Sequence, residues 1–131
     1  RSKMTAVGMD TNALMMPVEC GLRLFDELDR LFGPGVAEYL VPRAVVDELD
    51  SLAAGSGDAA KAASVGKDLA DRCRVVETNE SYADDAVVEL AEDGDLAAVV
   101  TNDRPLRDRL LSRGVRVVGL RGRNRLGITE P

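Results

Sequence analysis

The 131-residue chain contains no His and no Trp, only two Cys, and aromatic residues amount to 3%. Each shortage removes some chemistry. Without His there is no Ser-His-Asp or Cys-His catalytic arrangement and no His-ligated zinc. Any catalysis must come from carboxylates, with a hard cation as the natural partner. Cys20 and Cys73 stand apart, without CxxC spacing or a neighbouring metal ligand. One disulfide between them is possible, but free buried thiols in a cytoplasmic protein are the expected state. No apolar run approaches the roughly 20 residues that span a bilayer, and nothing resembles a signal peptide. The expectation is a cytoplasmic chain with no membrane contact.

What is present points to a packed core. Hydrophobic residues make up 45%, and with so few rings the interior must be built from Val, Leu, Ala and Met. The length suits one domain, expected over residues 4–131; Arg1-Ser2-Lys3 precede Met4 and read as a flexible start or a cloning remnant. Net charge is −6, but it is unevenly spread. Residues 101–125 carry eight Arg against Asp103 and Asp108, a local +6, while residues 1–100 carry nine basic and twenty acidic side chains, a local −11. A basic end on an acidic body can meet phosphates; it can equally be a solvated face.

Thr5 to Met9 reads as a short buried strand ending at Asp10. Leu22, Phe25, Leu28, Leu31 and Phe32 follow at helical spacing, stopped by Gly33-Pro34-Gly35. Glu38–Val41 is a second strand, and Pro42 suits the first turn of a helix with apolar Val45, Val46, Leu49 and Leu52. An Ala-rich helix spans about 58–71, Arg74–Glu77 is a third strand, and a helix starts near Ala83. Leu96–Thr101 is the fourth strand, a helix runs from Asp103 to Gly114, and Val115–Val118 is the fifth strand. Alternating strands and helices, with strands uniformly apolar, predict an α/β fold: a three-layer α/β/α sandwich around a mostly parallel five-stranded sheet.

Ligands of such sheets sit beyond the carboxyl ends of the strands. Four segments bring acids there: Asp10 after the first strand, Glu48 on the helix after the second, Asp84-Asp85 after the third, and Asp103 after the fourth. Singly, Asp10, Asp84 and Asp103 stand where a helix N-cap is wanted, and Glu48 could be a solvated surface residue. At about 100° per residue, Val45, Val46, Leu49 and Leu52 define one face, Asp47 points opposite, and Glu48 lies at the border. Capping explains each acid better than it explains all four together. Clustered carboxylates repel and raise one another's pKa values unless cations neutralise them. An all-oxygen set suits Mg2+ or Mn2+, which can activate water for attack on a phosphodiester.

These residues resemble the PIN-domain nucleases along Val7 to about Leu126. The resemblance is carried by Met9-Asp10-Thr11-Asn12, Val41-Pro42-Arg43 through Val46-Asp47-Glu48-Leu49, Tyr82-Ala83-Asp84-Asp85-Ala86 and Val100-Thr101-Asn102-Asp103-Arg104. It implies a PIN-like fold, RNA hydrolysis leaving 5′-phosphate and 3′-hydroxyl ends, and Asp10, Glu48, Asp85 and Asp103 as catalytic, metal-holding acids. Asp85 is the closer counterpart of the third family acid because Ala86-Val87-Val88 follows it, leaving Asp84 as a cap or auxiliary ligand. Thr11, Asn12 and Asn102 resemble the polar residues that orient the acids. Tyr82-Ala83-Asp84-Asp85, Asn102-Asp103-Arg104-Pro105-Leu106-Arg107 and Leu120-Arg121 with its basic run are similar to PIN endonucleases of small-subunit ribosomal RNA maturation and to archaeal PIN proteins. The chain lacks the additional segments and zinc-binding Cys of the ribosomal branch. VapC-type toxins share the acids more distantly and imply an antitoxin partner; the ribosomal branch implies an assembly partner, and either is compatible with a homodimer.

Arg104, Arg107, Arg121, Arg123 and Arg125 are the expected RNA contacts, through phosphates and RNA shape because stacking rings are few. A non-catalytic RNA-binding or scaffold domain is the main rival, although such a module gains nothing from acids facing phosphates. A receiver-type regulatory domain would need an acceptor Asp after the third strand and a Lys after the fifth, where this chain has Glu77-Thr78 and Gly119-Leu120.

Overall fold

Three consecutive residues of the first strand, Val7, Gly8 and Met9, are all buried, which requires cover on both faces of the sheet they belong to. The structure is a computed structural model describing residues 5–131, so the expectation for residues 1–3 lies outside the described residues. Along the chain the elements are β1 (Thr5–Met9), α1 (Thr11–Cys20), α2 (Leu24–Phe32), β2 (Ala37–Pro42), α3 (Arg43–Ala53), α4 (Gly57–Ala70), β3 (Arg74–Val76), α5 (Ala83–Asp93), β4 (Leu96–Val100), α6 (Arg104–Leu111), β5 (Val117–Leu120) and β6 (Leu126–Thr129). The sheet order is β3-β2-β1-β4-β5-β6. The first five strands are parallel and β6 runs antiparallel to β5. The expected α/β sandwich is therefore present, with six strands rather than five.

The sequence pattern also misses α1. It starts because Asp10 Oδ1 accepts the Ala13 backbone N–H at 2.8 Å, a side-chain cap on its first turn. It ends at Gly21, whose φ of 60° is left-handed. Leu14, Met15 and Met16 are buried beneath it. α1 lies against α4 at Gly66, where a Cβ would stand 3.0 Å from the Leu14 carbonyl oxygen. On α2, Leu24, Phe25 and Leu28 face the core, while Glu27 accepts the Leu126 N–H at 2.9 Å and pins the start of β6.

The chain builds outward from β1 through β2 to β3, then crosses to place β4 on the other side of β1. The switch point of the sheet thus lies between the carboxyl ends of β1 and β4, where open parallel sheets hold their ligands. Asp10 and Asp103 follow those two ends.

Cys20 and Cys73 are free and half-buried. Burial pushes the Cys73 thiol up to about 12, so it stays protonated and unreactive near neutral pH. Among the described residues, no helix is long and apolar enough to cross a membrane.

Candidate active site

Asp10 is the most buried acid of the chain, 3% exposed. Its two oxygens have separate partners: Oδ1 accepts the Ala13 N–H, and Oδ2 accepts the hydroxyl of Thr101, itself buried. Burial raises its pKa from 3.8 to about 7, against the lowering effect of the Thr101 and Ala13 hydrogen bonds, and the Asp84 and Asp103 charges add to the rise. Asp103 caps α6 through the Leu106 N–H at 2.8 Å, and its own N–H donates to Thr101 Oγ1 at 3.1 Å. Thr101 therefore ties both acids together across the switch point.

Neighbouring polar groups brace the loops. Asn12 Oδ1 accepts the Asn102 N–H at 2.9 Å, and Asn102 Oδ1 accepts the Leu120 N–H at 3.2 Å. The ends of β1, β4 and β5 are thus linked in series. Close approach at β5 depends on Gly119, where a Cβ would meet the Thr101 carbonyl oxygen at 3.0 Å. Thr11 donates its hydroxyl to Glu48 Oε1, fixing that carboxylate from the opposite side. On α3, Val45 and Leu49 are buried and Asp47 is exposed. Glu48, between those faces, reaches a pocket of about 250 Å³ with Asp10, Asp84 and Asp103.

The expected third acid, Asp85, does not line the pocket. Asp84 lines the pocket, whereas Asp85 turns away and pairs with Arg109 of α6 at 2.9 Å. Adjacent helical residues point about 100° apart, which lets Asp84 face the pocket while Asp85 reaches Arg109. Neither caps α5, because Tyr82 holds that position and offers no side-chain bond. Burial raises the Asp84 pKa, with Asp103 and Glu48 adding to the rise and Arg109 opposing it.

The four acids around the pocket offer oxygen donors only. Among the described residues, no three His, Cys, Asp or Glu side chains are grouped so that they could hold an ion as they stand. Magnesium seldom has an all-protein cage, because it keeps several waters and is held through one or two carboxylates. Asp10 and Asp84, pushed toward neutrality by burial and by neighbouring acids, fit a site that gains from added positive charge.

A family model described as a PIN like domain matches residues 7–123. The chain belongs to the PIN-like domain family. That is the nuclease family its motifs resemble. Across 96% of this chain and 92% of the other, the fold matches the PIN domain endonuclease Utp24 with a TM-score of 0.77 at 22% identity. A domain of a functionally unknown protein from Methanocaldococcus jannaschii DSM 2661 gives 0.66 at 18% identity, over 90% of this chain and 92% of that one. A UPF0178 protein of Sulfurimonas denitrificans (strain ATCC 33889 / DSM 1251) is 40% identical over 62 residues, 47% of this chain. The chain covers 40% of that relative's length.

In this PIN-like domain the arginines divide by pairing. Arg109, Arg113 and Arg116 pair with Asp85, Glu92 and Glu130. Arg107 lies 3.6 Å from its neighbour Asp108, and its buried Nε has no hydrogen-bond partner. Arg104, Arg121, Arg123 and Arg125 have no acidic partner among the described residues. Leu120 pairs with Leu126, so the 121–125 turn sits at the carboxyl end of β5, the same sheet edge as the acids. There Arg121 and Arg125 line a cavity of about 470 Å³ together with Arg30 of α2, a cation the sequence pattern does not suggest. Sequence reasoning also overlooked Thr101 and Tyr82 as site residues. A Thr closing an otherwise apolar strand was the available signal for the first.

Proposed function

We propose that this PIN-like domain is a divalent-metal-dependent endoribonuclease acting on ribosomal RNA or its precursor. One observation carries the reading: Asp10, Glu48, Asp84 and Asp103, from four separate segments, line one pocket at the switch point of the sheet. A binding module has no use for such a group, since four carboxylates repel phosphate. Asp10, Glu48, Asp84 and Asp103 would hold Mg2+ or Mn2+, which supplies charge neutralisation and a water activated near neutral pH. Asp10 must first lose the proton that burial favours, so cation binding releases a proton and strengthens as pH rises through neutrality. Thr101, Ala13 and Thr11 hold carboxylate oxygens in place, so little reorganisation remains when substrate arrives. Arg104, Arg107, Arg121, Arg123 and Arg125 attract the RNA backbone toward the acids.

The ribosomal assignment is supported by the resemblance of the Tyr82–Asp85 and Asn102–Arg107 motifs to PIN endonucleases of small-subunit ribosomal RNA maturation; the fold shared with a PIN domain endonuclease fits strand cleavage. The test is incubation of purified protein with structured ribosomal RNA and with unrelated RNA, in Mg2+, Mn2+ or EDTA, with the product ends mapped. Cation-dependent cuts in the ribosomal RNA leaving 5′-phosphates are expected. Cleavage that persists in EDTA would refute metal dependence, and equal cutting of every RNA would refute the ribosomal assignment.

A further inference from the structure

The chain has four aromatic rings, and three have structural work. Phe25 is buried and meets half-buried Tyr39 edge-to-face, with ring centroids 5.0 Å apart. Phe32 packs half-buried against the core. Tyr82 does neither: it is 67% exposed and lies outside the core. It also lines the pocket of the four acids.

Nothing in the local fold calls for a ring at position 82. The residue caps α5 with its backbone, in an extended conformation, and its carbonyl accepts the Ala86 N–H at 2.8 Å. Its side chain makes no capping bond; Ser, Thr, Asp or Asn would cap better. An exposed aromatic that neither packs nor caps, at the rim of a pocket built for phosphodiester chemistry, suits a flat apolar ligand. A nucleobase next to the reacting phosphate is such a ligand.

We propose that Tyr82 is a stacking platform for the nucleobase flanking the scissile phosphate. The inference rests on the nuclease reading and adds the residue that holds that base. Bases inside an A-form duplex are already paired and stacked, whereas loops, bulges and ends can offer a free face. Every base has such a face, so the platform does not select sequence. The short α5 cap also fixes the geometry, because Tyr82 and the pocket acid Asp84 are two residues apart on one element start. The platform and that acid therefore move together.

The test uses the full chain and a short single-stranded RNA with hydrolysis-resistant phosphorothioate linkages and one 2-aminopurine. Wild-type protein and Tyr82→Phe are expected to quench the 2-aminopurine at one position in the strand. Tyr82→Leu should bind roughly 5- to 100-fold more weakly and lose that quench, the loss expected for one base–ring stack. Its affinity for a fully paired duplex and its thermal midpoint should stay those of the wild type, because the ring is outside the core. Unchanged affinity and quench in Tyr82→Leu, in a protein that cleaves RNA, overturn this inference alone. Wild-type protein that neither binds nor cleaves RNA overturns the nuclease reading and this inference with it.

Discussion

Asp10 combines a structural and a chemical load in one side chain, and its two oxygens divide them. Oδ1 caps α1 and Oδ2 meets the Thr101 hydroxyl, so the helix-cap explanation of this residue holds while the same residue lines the pocket of the four acids. The same burial that positions it makes ionisation costly. Its folded-state pKa of about 7 lies above the ordinary 3.8. The folded protein therefore binds this proton more tightly than the unfolded chain, and stability falls as pH rises between those values. The penalty is small below about pH 4 and complete above about pH 7, on the order of 4 kcal/mol from the proton alone. In EDTA, Asp10→Asn should raise the urea midpoint at pH 8, and the difference should narrow toward pH 5. Adding Mn2+ at pH 8 should stabilise the wild type and leave Asp10→Asn nearly unchanged. A pH-independent difference between the two would show that the Asp10 charge is not under strain. Residue identity gave Asp10, Glu48 and Asp103 from position alone, because each follows a strand end or lies at the edge of an apolar helix face. It favoured Asp85 for the third acid, whereas Asp84 lines the pocket. That choice depends on Arg109, 24 residues further along, reaching back to Asp85.

Elements with a clear period were legible, and elements made by tertiary contacts were not. The helices α2 to α6 and strands β1 to β5 follow from apolar runs and spacing. α1 was hidden because it begins directly at the catalytic-motif residue Asp10 and carries Pro17 inside it. β6 is four residues with a central Gly127, too short and too weakly β-forming to stand out. It exists because Glu27 of α2 receives the Leu126 N–H and β5 offers a free edge. α4 approaches α1 and α3 closely at one glycine. At Gly66 a Cβ would lie 3.0 Å from the Leu14 carbonyl oxygen and 3.2 Å from Leu49 Cδ2. Ala is the better helix former by about 1 kcal/mol, while forced overpacking typically costs about 1–3 kcal/mol. The close atom is backbone of a capped helix, so overpacking should win. Gly66→Ala is expected to lower stability by about 1 kcal/mol in chemical denaturation; a stabilised variant would mean that α1 and α4 separate freely.

At the scale of the whole molecule, charge is sorted rather than balanced. A net charge of −6 coexists with an arginine-rich turn at the sheet edge that carries the acids. Neutralising Arg121, Arg123 and Arg125 together should weaken RNA binding and flatten its dependence on log salt by roughly 0.7 per lost single-strand contact. Turnover at saturating RNA should change far less than with Asp10→Asn. An unchanged affinity and salt slope would assign these arginines to solubility or to a protein partner. The central claim is that four acids from four segments act as one centre, with Asp84 as the third member. Single-turnover cleavage of structured ribosomal RNA in Mn2+ tests it most directly, comparing wild type with Asp10→Asn, Asp84→Asn, Asp85→Asn and Asp47→Asn. Asp10→Asn and Asp84→Asn should each reduce the rate by at least about a hundredfold, the scale of removing one charged group from a preorganised site. Asp85→Asn should retain most activity, and Asp47→Asn, on the exposed face of α3, all of it. Full activity in Asp84→Asn, with loss in Asp85→Asn, would contradict the account.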